Sequence, residues 1–536
     1  MWHTLVSSSG LRLATTLLRW LAFAVMLSGA SGANGQSSAA ASRTRPPNII
    51  LIMADDLGFG DVSCNGATAI RTPNIDRLAH EGLRFTSGYS SASTCTPTRF
   101  SLLTGCYAFR VPGTGVAPPN GAALIKPPRD TLAFALRRAG YATAVIGKWH
   151  LGLGDPRPDC NGRLQPGPIE IGFDNALILP TTNDRVPQVL VEDARVRGLD
   201  PSDPLWVGDK SPSADHVTGL NARQTLKMDW KVGHHGTIHN GVSRIGFYTG
   251  GTAARFRDED LSDIWVEASR NWITAQRDRP FFLFFASHAI HVPRLVPERF
   301  QGQSGMGPRG DAILEFDWSV GALLQILEEQ GLSNHTLVIL CSDNGPVLDD
   351  GYADDAVEKL GAHKPAGPFR GGKYSVYEGG TRTPFVAWWP GTVKPGVSEA
   401  LVSTVDLPRS LATIAGGALQ QAELLDSVDV SAALLGHIPT GRQSLLTQDN
   451  AGRSFGWREG AWKLVRTQSP PAAGQKPGQK PGPASQVDQL FQIEQDPGET
   501  RDLAGEQSAL LQKLQAALAA ELAKTESDAP KPGPGN

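Results

Sequence analysis

The sequence predicts an α/β protein with a large, mainly parallel central sheet flanked by helices, and a smaller C-terminal subdomain that holds a short antiparallel sheet and a helix. Continuous apolar runs predict four buried strands, at residues 48–53, 141–146, 281–285 and 336–340. Because such runs have no polar face, we expect helices to cover both faces of the sheet. Segments with apolar residues at helical spacing, such as 130–139 and 313–327, lie between the runs. This alternation of strand and helix is typical of an α/β fold.

Both ends of the chain differ in composition from its middle. At the N-terminus, Arg12 and Arg19 precede a short apolar stretch and then small residues, which is the order of a secretory signal. Near the C-terminus, leucines recur at helical spacing from Leu511 to Leu522. The signal predicts a secreted or periplasmic protein. We divide the chain into a signal peptide (1–33), a linker (34–46), a main domain (47–395), a C-terminal subdomain (396–528) with a flexible loop (468–486), and a disordered tail (529–536).

Composition argues against two kinds of partner. The net charge of −3 gives no general electrostatic basis for binding nucleic acid. No apolar run approaches about 18–20 residues, so stable membrane insertion is not expected. The five cysteines show no zinc-site spacing. If Cys95 is set aside for chemistry, the other four allow three disulfide pairings.

Polar side chains follow each of the four predicted strands. In chain order, they are Asp55 and Asp56, Lys148 and His150, His288 and His291, and Asp343 and Asn344. Ligands of open α/β sheets bind outside the carboxyl ends of the strands. We therefore expect these four groups to converge on one site.

The acidic and amide side chains of this set predict a metal site. Asp55, Asp56, Asp343 and Asn344 offer oxygen ligands without clustered His or Cys, which suits Ca²⁺ or Mg²⁺. For either pair alone, a helix cap or a turn is the more common reason for these residue types. The candidate cations around them suggest a site for an oxyanion; they are Arg99, Lys148, His150, His291, Lys373 and Arg382.

Cys95 stands where a turn is predicted to enter a helix. Pro97 suits the first turn of that helix, where its missing N–H costs nothing. The helix dipole would then favour negative charge at Cys95. The alternative is a structural cysteine, for example one paired with Cys106, and residue types alone favour that alternative.

Several motifs together resemble the type I, formylglycine-dependent sulfatases of the alkaline-phosphatase-like superfamily. The resemblance covers roughly residues 46–525. The motifs are Pro47 to Gly58 with its Asp55-Asp56 pair, Cys95 to Arg99 continued to Gly105, Gly147 to Gly152, His291-Val292-Pro293, Ser342 to Gly345, Gly372 to Arg382, and Asp496 to Glu499. One position departs slightly, because the residue after the signature proline is most often Ser or Ala and is Thr98 here.

The resemblance implies a role for each matched residue. Ca²⁺, with Mg²⁺ as the alternative ion, would be bound by Asp55, Asp56, Asp343, Asn344 and the modified residue 95. A maturase would convert Cys95 to formylglycine. Arg99 would hold the hydrate of that aldehyde and His150 would contact it, while Lys148, His291 and Lys373 would contact the sulfate.

The implied reaction has two stages. One hydroxyl of the formylglycine hydrate, activated by the metal and Asp343, attacks sulfur, and His291 or Lys373 protonates the departing alcohol. His150 then acts as general base on the second hydroxyl, and the covalent sulfate ester breaks down to release sulfate. A plain Ser or Thr has no second hydroxyl and is expected to stall as the ester.

The substrate is predicted less directly. The polar stretch 181–260 has the length of binding-site loops in α/β enzymes and resembles stretches in bacterial sulfatases that act on sulfated sugars. We therefore expect a carbohydrate sulfate ester, with a galacto-configured sugar as one candidate. Candidate sugar or sulfate contacts are His288, Asp184, His235, Arg370 and Arg382, each of which could instead be an ordinary surface residue.

The alternative functions are a phosphatase or phosphonate monoester hydrolase of the same superfamily, or a binding protein without catalysis.

Overall fold

The computed structural model describes residues 45–417, 424–468 and 486–525. The predicted signal peptide, nearly all of the linker and of the flexible loop, and the predicted tail lie outside the described residues. The domain boundary at residue 395 stays a prediction.

Strands and helices alternate along the described chain. The strands are β1 (Asn48–Ala54), β2 (Leu83–Phe85), β3 (Gly88–Tyr89), β4 (Ala142–Lys148), β5 (Asn175–Leu179), β6 (Val191–Glu192), β7 (Arg195–Val196), β8 (Trp206–Gly208), β9 (Ile238–His239), β10 (Val242–Ser243), β11 (Phe247–Thr249), β12 (Phe281–Ala286), β13 (Thr336–Ser342), β14 (Val386–Trp388), β15 (Gly396–Ser398), β16 (Val402–Ser403), β17 (Ser444–Gln448), β18 (Phe455–Glu459), β19 (Trp462–Gln468) and β20 (Gln486–Gln492). The helices are α1 (Pro73–Glu81), α2 (Cys95–Thr104), α3 (Leu132–Arg138), α4 (Leu261–Gln276), α5 (Gly307–Glu329), α6 (Glu378–Thr381), α7 (Leu407–Ile414), α8 (Ser431–Leu434) and α9 (Ser508–Ala523).

Among the described residues, the central sheet has the strand order β15-β2-β14-β13-β1-β12-β4-β5-β6-β7. Its five middle strands, from β13 to β5, are parallel to one another, while β14 and β6 pair antiparallel with the outer two of them. The four strands predicted from apolar runs are β1, β4, β12 and β13, which are adjacent at the centre of the sheet. The predicted fold class, a large and mainly parallel sheet flanked by helices, is confirmed.

Two apolar layers explain why the central strands are apolar throughout. Successive residues of a strand point to opposite faces of the sheet. Ile49 and Leu51 of β1 pack in the layer that includes α2, α3 and α7, whereas Ile50 and Ile52 pack in the layer that includes α1, α4 and α5. All four side chains are fully buried. The strand therefore has no solvent-facing side on which a polar residue would be favoured.

The C-terminal region forms a separate small sheet. Strands β17 to β20 pair antiparallel in chain order. Leu514 and Leu518 of α9 are buried in a cluster with Leu446 and Leu464 of this sheet. The predicted short antiparallel sheet with one helix is thus confirmed. No helix within the described ranges is long and apolar enough to cross a membrane.

Candidate active site

The carboxyl ends of the central strands meet at one edge of the sheet. The parallel register sets Ala54 of β1 opposite Ser342 of β13, and Met53 of β1 opposite Ala286 of β12. The residues that follow these strands therefore start from neighbouring backbone positions. The predicted site residues that contact one another here, all buried, are Asp55, Asp56, Cys95, Arg99, Lys148, His150, His291, Asp343, Asn344 and Lys373.

Three buried carboxylates each face a cation. Lys148 Nζ contacts Asp55, and Lys373 Nζ lies 2.9 Å from Asp56 Oδ2. The third pair is formed by the guanidinium of Arg99 and the carboxylate of Asp343. Buried charges are costly unless they are paired in this way. Each of these carboxylates therefore has a cationic partner within the protein.

Arg99 links the helix that carries Cys95 to the end of β13. Its Nε and Nη2 donate to Asp343 Oδ2 at 3.0 and 2.8 Å, and its Nη1 donates to the carbonyl of Lys148 at 2.9 Å. The side chains of Arg99 and Asp343 are fully buried. One arginine thus fixes α2 against both β13 and β4.

Two unpaired oxygens in this cluster fit a metal ion. Asp55 Oδ1 and Asn344 Oδ1 are buried and have no hydrogen-bond partner among the described atoms, although buried polar groups are nearly always satisfied. Burial raises the pKa of Asp55 well above its usual value, and the nearby Asp343 raises it further against the pull of Lys148. Ligand atoms of Asp55, Asp56 and His291 lie within 4.8 Å of one another. A hard cation would satisfy these oxygens and offset the repulsion between the carboxylates.

Cys95 is the first residue of α2 and faces a histidine. Its Sγ lies 3.1 Å from His150 Nδ1, while His150 Nε2 lies 3.2 Å from the carbonyl oxygen of Ala117. Since a carbonyl can only accept, Nε2 carries the proton and Nδ1 presents its lone pair to residue 95. Burial, and then Lys148, lower the pKa of His150 well below its usual value. His150 is thus a neutral base aimed at residue 95. All five cysteines are free thiols, so Cys95 is not paired with Cys106.

The backbone is strained at two of the site residues, Asp56 after β1 and His150 after β4. Asp56 has φ 63° and His150 has φ 53°, a left-handed conformation that costs free energy in residues other than glycine. Just before Lys148, Gly147 has φ 117°, and a Cβ there would lie 1.9 Å from the carbonyl oxygen of Ala286. The chain therefore leaves β1 and β4 in unusual conformations that turn their polar residues into the site.

His291 and Lys373 border the cluster. His291 Nδ1 donates to the carbonyl of Val292 at 2.7 Å, which leaves Nε2, 3.9 Å from Asp56 Oδ2, facing the site. Lys373 Nζ also lies 2.8 Å from Asp350 Oδ2. Asp350 was not predicted from the sequence. The only signal for it was a second acidic pair, Asp349-Asp350, shortly after the end of β13.

Comparison with known proteins decides the family. The sulfatase family model matches residues 47–418. The chain belongs to the sulfatase family. An N-acetylgalactosamine-6-O-sulfatase of Bacteroides thetaiotaomicron is 42% identical over 482 residues, which cover 90% of this chain and 93% of that protein. Human arylsulfatase A is 34% identical over 502 residues, which cover 90% of this chain and 89% of that protein.

A solved structure agrees with this assignment. It comes from work on the metabolism of multiple glycosaminoglycans by Bacteroides thetaiotaomicron, has a TM-score of 0.84 and 41% identity, and covers 89% of this chain and 99% of that one. The predicted resemblance and the prediction of a sulfuric ester hydrolase are confirmed.

The sulfatase carries a second polar cluster beside His291, from the stretch 181–260. Asp184 Oδ2 lies 3.1 Å from His234 Nε2 and 3.4 Å from Arg185 Nη1. Burial would raise the pKa of Asp184, but Arg185, His234 and His291 lower it well below its usual value. Burial lowers the pKa of Arg185, whereas Asp184 and then Cys95 raise it above its usual value. Arg185 was missed from the sequence, where its only signal was its position next to Asp184.

The remaining candidate contacts lie in other surroundings. The ring of His235 stands 5.4 Å from that of Trp230, and His288 Nδ1 accepts a hydrogen bond from the indole of Trp265 at 3.3 Å. Arg370 donates to the carbonyl of Glu499 at 3.0 Å. Arg382 donates to the carbonyl of Thr86 at 2.7 Å and to Glu378 at 3.1 Å.

Proposed function

We propose that this sulfatase hydrolyses a sulfate ester on a sulfated carbohydrate through a formylglycine formed from Cys95. The observation that carries the proposal is the position of Cys95 at the start of α2, with the Nδ1 lone pair of His150 3.1 Å from its Sγ. In the mature enzyme, Sγ would be replaced by the oxygens of an aldehyde hydrate. The buried thiol itself is a poor nucleophile, because burial raises the pKa of Cys95 above its usual value.

We propose Ca²⁺ as the resident ion, with Mg²⁺ as the alternative. Asp55, Asp56, Asp343 and Asn344 would hold it, and the unpaired oxygens of Asp55 and Asn344 fit that role. When bound, the ion would polarise a sulfate oxygen and the reacting oxygen of residue 95. Asn344 Nδ2 already donates to Asp56 Oδ1 at 2.7 Å, which orients two of these ligands together.

The protein side chains supply binding and proton transfer. Lys148 and Lys373 are cations held in place by carboxylates, and this suits them to bind the sulfate group and stabilise charge on it. His291 has Nε2 facing the leaving oxygen, and because its Nδ1–H donates to the carbonyl of Val292, it would have to take up a proton at Nε2, next to the negative sulfate, before giving that proton to the departing alcohol. His150 would accept a proton from residue 95 through Nδ1. The hydrate of formylglycine would supply one hydroxyl, activated by the ion and by Asp343 as acceptor of its proton, to attack sulfur, and a second whose deprotonation would let sulfate leave without attack of water on sulfur.

We infer that the sugar binds beside His291. Asp184 and Arg185 form the polar wall there, and the side chain of Arg185 is 19% exposed, so it can reach a ligand. His235 would lie further out, while Arg370 and Arg382 would support the fold rather than touch the substrate. The similarity to an N-acetylgalactosamine-6-O-sulfatase over 90% of the chain supports a galacto-configured amino sugar sulfated at O6.

A panel of sulfated sugars tests this proposal. The converted enzyme should release sulfate fastest from N-acetylgalactosamine 6-sulfate, and more slowly from its gluco-configured and 4-sulfated isomers. Asp184→Asn should lower kcat/KM for the preferred sugar by about 10-fold or more, because it removes a charged hydrogen-bond acceptor. The matched control is Asp215→Asn, an exposed acid of the same stretch, which should leave the rate unchanged. Absence of sulfate release from every sugar would refute the carbohydrate assignment.

Export and maturation complete the proposal. The charged, apolar and small-residue order of residues 1–33 supports a secreted or periplasmic location. Because the reactive group is not encoded, the enzyme would need a formylglycine-generating maturase as a partner. Protein made without a maturase should carry an unmodified Cys95 and show no sulfatase activity.

A further inference from the structure

Lys373 belongs to a loop, residues 370–382, that we call the Lys373 loop. The loop contacts the proposed metal site as well as carrying the lysine. The N–H of Gly345 donates to the carbonyl of Gly380 in this loop at 2.9 Å. Gly345 directly follows the proposed ligand Asn344. The position of one loop therefore affects both a sulfate contact and a metal ligand.

Packing between the loop and the site leaves little room for adjustment. A Cβ on Gly345 would lie 1.8 Å from the carbonyl oxygen of Gly379 in the loop, and within the loop a Cβ on Gly380 would lie 1.8 Å from the carbonyl oxygen of Ser375. Only glycine allows the backbones to approach so closely. A small displacement of α6 would therefore be transmitted to the end of β13.

The other side of the loop rests on the C-terminal sheet. Val376 is buried in a cluster with Val465 of β19, Phe491 of β20 and Ile493. These contacts hold the loop against the sheet, but apolar contacts are not directional. Polar contacts are needed to fix where α6 lies along the sheet.

A buried triad of charged side chains, Lys463, Glu378 and Glu499, fixes the position of α6 along the sheet. Lys463 Nζ of β19 lies 2.8 Å from Glu378 Oε1 and 3.0 Å from Glu499 Oε1, and all three side chains are at most 2% exposed. The N–H of Glu378, the first residue of α6, donates to Glu499 Oε2 at 2.7 Å. Burial would raise the pKa of Glu378, but Lys463, Arg382 and Arg458 lower it to about 2. Glu378 is thus ionised and paired, and Glu499 accepts from the backbone at the start of α6.

Glu499 comes from a motif that the proposed reaction leaves without a role, Asp496-Pro497-Gly498-Glu499. Asp496 Oδ2 accepts from the N–H groups of Thr500 and Arg501 at 2.7 and 2.8 Å. Glu499 itself has φ 49°. The tight turn formed in this way directs the carboxylate of Glu499 inward toward Lys463 and Glu378.

We propose that Glu499 and Lys463 are positioning residues that set the place of the Lys373 loop, and through it Lys373 and Asn344, from the C-terminal sheet. The inference rests on the proposed function for its activity measurement. Its physical reason is that misplacing a group that binds the reacting centre by about 1 Å can cost up to about 100-fold in rate. The C-terminal sheet would then be part of the active-site framework.

The test uses Glu499→Gln, which keeps the shape of the side chain and an acceptor for Glu378 but removes the charge. The matched control is Asp488→Asn, which breaks the pair with Arg466 in the same sheet. At matched thermal stability, Glu499→Gln should lower kcat/KM by about 10-fold or more, and the control by less than about twofold. In a Lys373→Ala background, Glu499→Gln should cost clearly less than it does in the wild type, because the part of its effect that acts through Lys373 is already lost. The proposal would be overturned if the kcat/KM losses of Glu499→Gln and Lys373→Ala simply multiplied in the double variant. It would also be overturned if the loss in Glu499→Gln only followed its loss of thermal stability, as in the control.

Hydrogen exchange provides a readout that needs no activity. Amide exchange in residues 372–382 and at Gly345 should become faster in Glu499→Gln and stay unchanged in Asp488→Asn. Unchanged exchange in Glu499→Gln would overturn the positioning role even if the enzyme is a sulfatase. An inactive but fully converted wild-type enzyme would overturn the proposed function alone, and the exchange result would still decide the positioning role.

Discussion

Glu315 of α5 is a buried acid whose ionisation should limit stability at high pH. The side chain is 2% exposed and its Oε1 has no hydrogen-bond partner among the described atoms. Burial raises the pKa of Glu315 to about 8, against weaker opposing effects of Ser262 and Arg299. In the unfolded chain the same carboxyl has a pKa near 4.5. Between these two values the folded protein holds one more proton than the unfolded chain.

The sign and size of the effect follow from proton linkage. Stability is highest below the unfolded pKa of about 4.5, falls as the pH rises toward about 8, and then levels off, because above that pH the folded state must also bury the charge. A difference of about 3.5 pH units, at about 1.4 kcal/mol each, gives an upper limit of about 5 kcal/mol. At about 2 cal/mol/K of unfolding entropy per residue, this corresponds to about 5 °C in Tm for a chain of 536 residues.

Thermal unfolding of Glu315→Gln between pH 5 and pH 9 checks this prediction. The amide cannot ionise, so the variant should match the wild type near pH 5 and exceed its Tm by about 4 °C near pH 9. The control is Glu329→Gln, an exposed acid on the same helix, whose difference from the wild type should not grow with pH. Parallel curves for wild type and Glu315→Gln would refute the reasoning.

Three further predictions concern the site and its support. His150→Ala should lower kcat by about 10² to 10⁴-fold through loss of the base at Nδ1, measured by sulfate release at saturating substrate; a loss below about threefold would exclude that role. Asp343→Asn should abolish Ca²⁺ binding in calorimetry, whereas Asp350→Asn should retain it; equal affinities would remove Asp343 from the ligand set. Asp317 accepts hydrogen bonds from the N–H groups of Asn74 and Ile75 at the start of α1. Asp317→Ala should therefore lower the free energy of unfolding by about 1–2 kcal/mol, measured in urea, and leave kcat unchanged. An unchanged free energy of unfolding would contradict this capping role.

The central sheet and the residues at its edge could be predicted because both follow from local sequence. An apolar run without a polar face gives a strand covered on both sides, and a residue such as Asp55 or Asp343 directly after it must lie at the carboxyl edge. The same reasoning places Lys148 at the end of β4. Arg99 and Lys373 were general candidates as cations of an oxyanion site, and their specific roles came only through the family resemblance, because neither directly follows a strand of the sheet.

Side-chain directions in long loops could not be predicted. Arg370 was a candidate sugar or sulfate contact, yet it donates to the carbonyl of Glu499, outside the cluster. Asp350 reaches Lys373 because Arg294 holds the preceding chain by donating to the carbonyls of Val347 and Leu348 at 3.0 and 3.2 Å. Such contacts join segments distant in sequence and have no periodic pattern to reveal them.

Conversion of Cys95 is the measurement that tests the central claim most directly. Peptide mass spectrometry on preparations made with different amounts of maturase gives the fraction of residue 95 present as formylglycine, and sulfate release is measured on the same samples. The account predicts that activity rises in proportion to the converted fraction, reaches zero at zero conversion, and is absent in Cys95→Ala. Sulfatase activity in unconverted protein, or in Cys95→Ala, would contradict it.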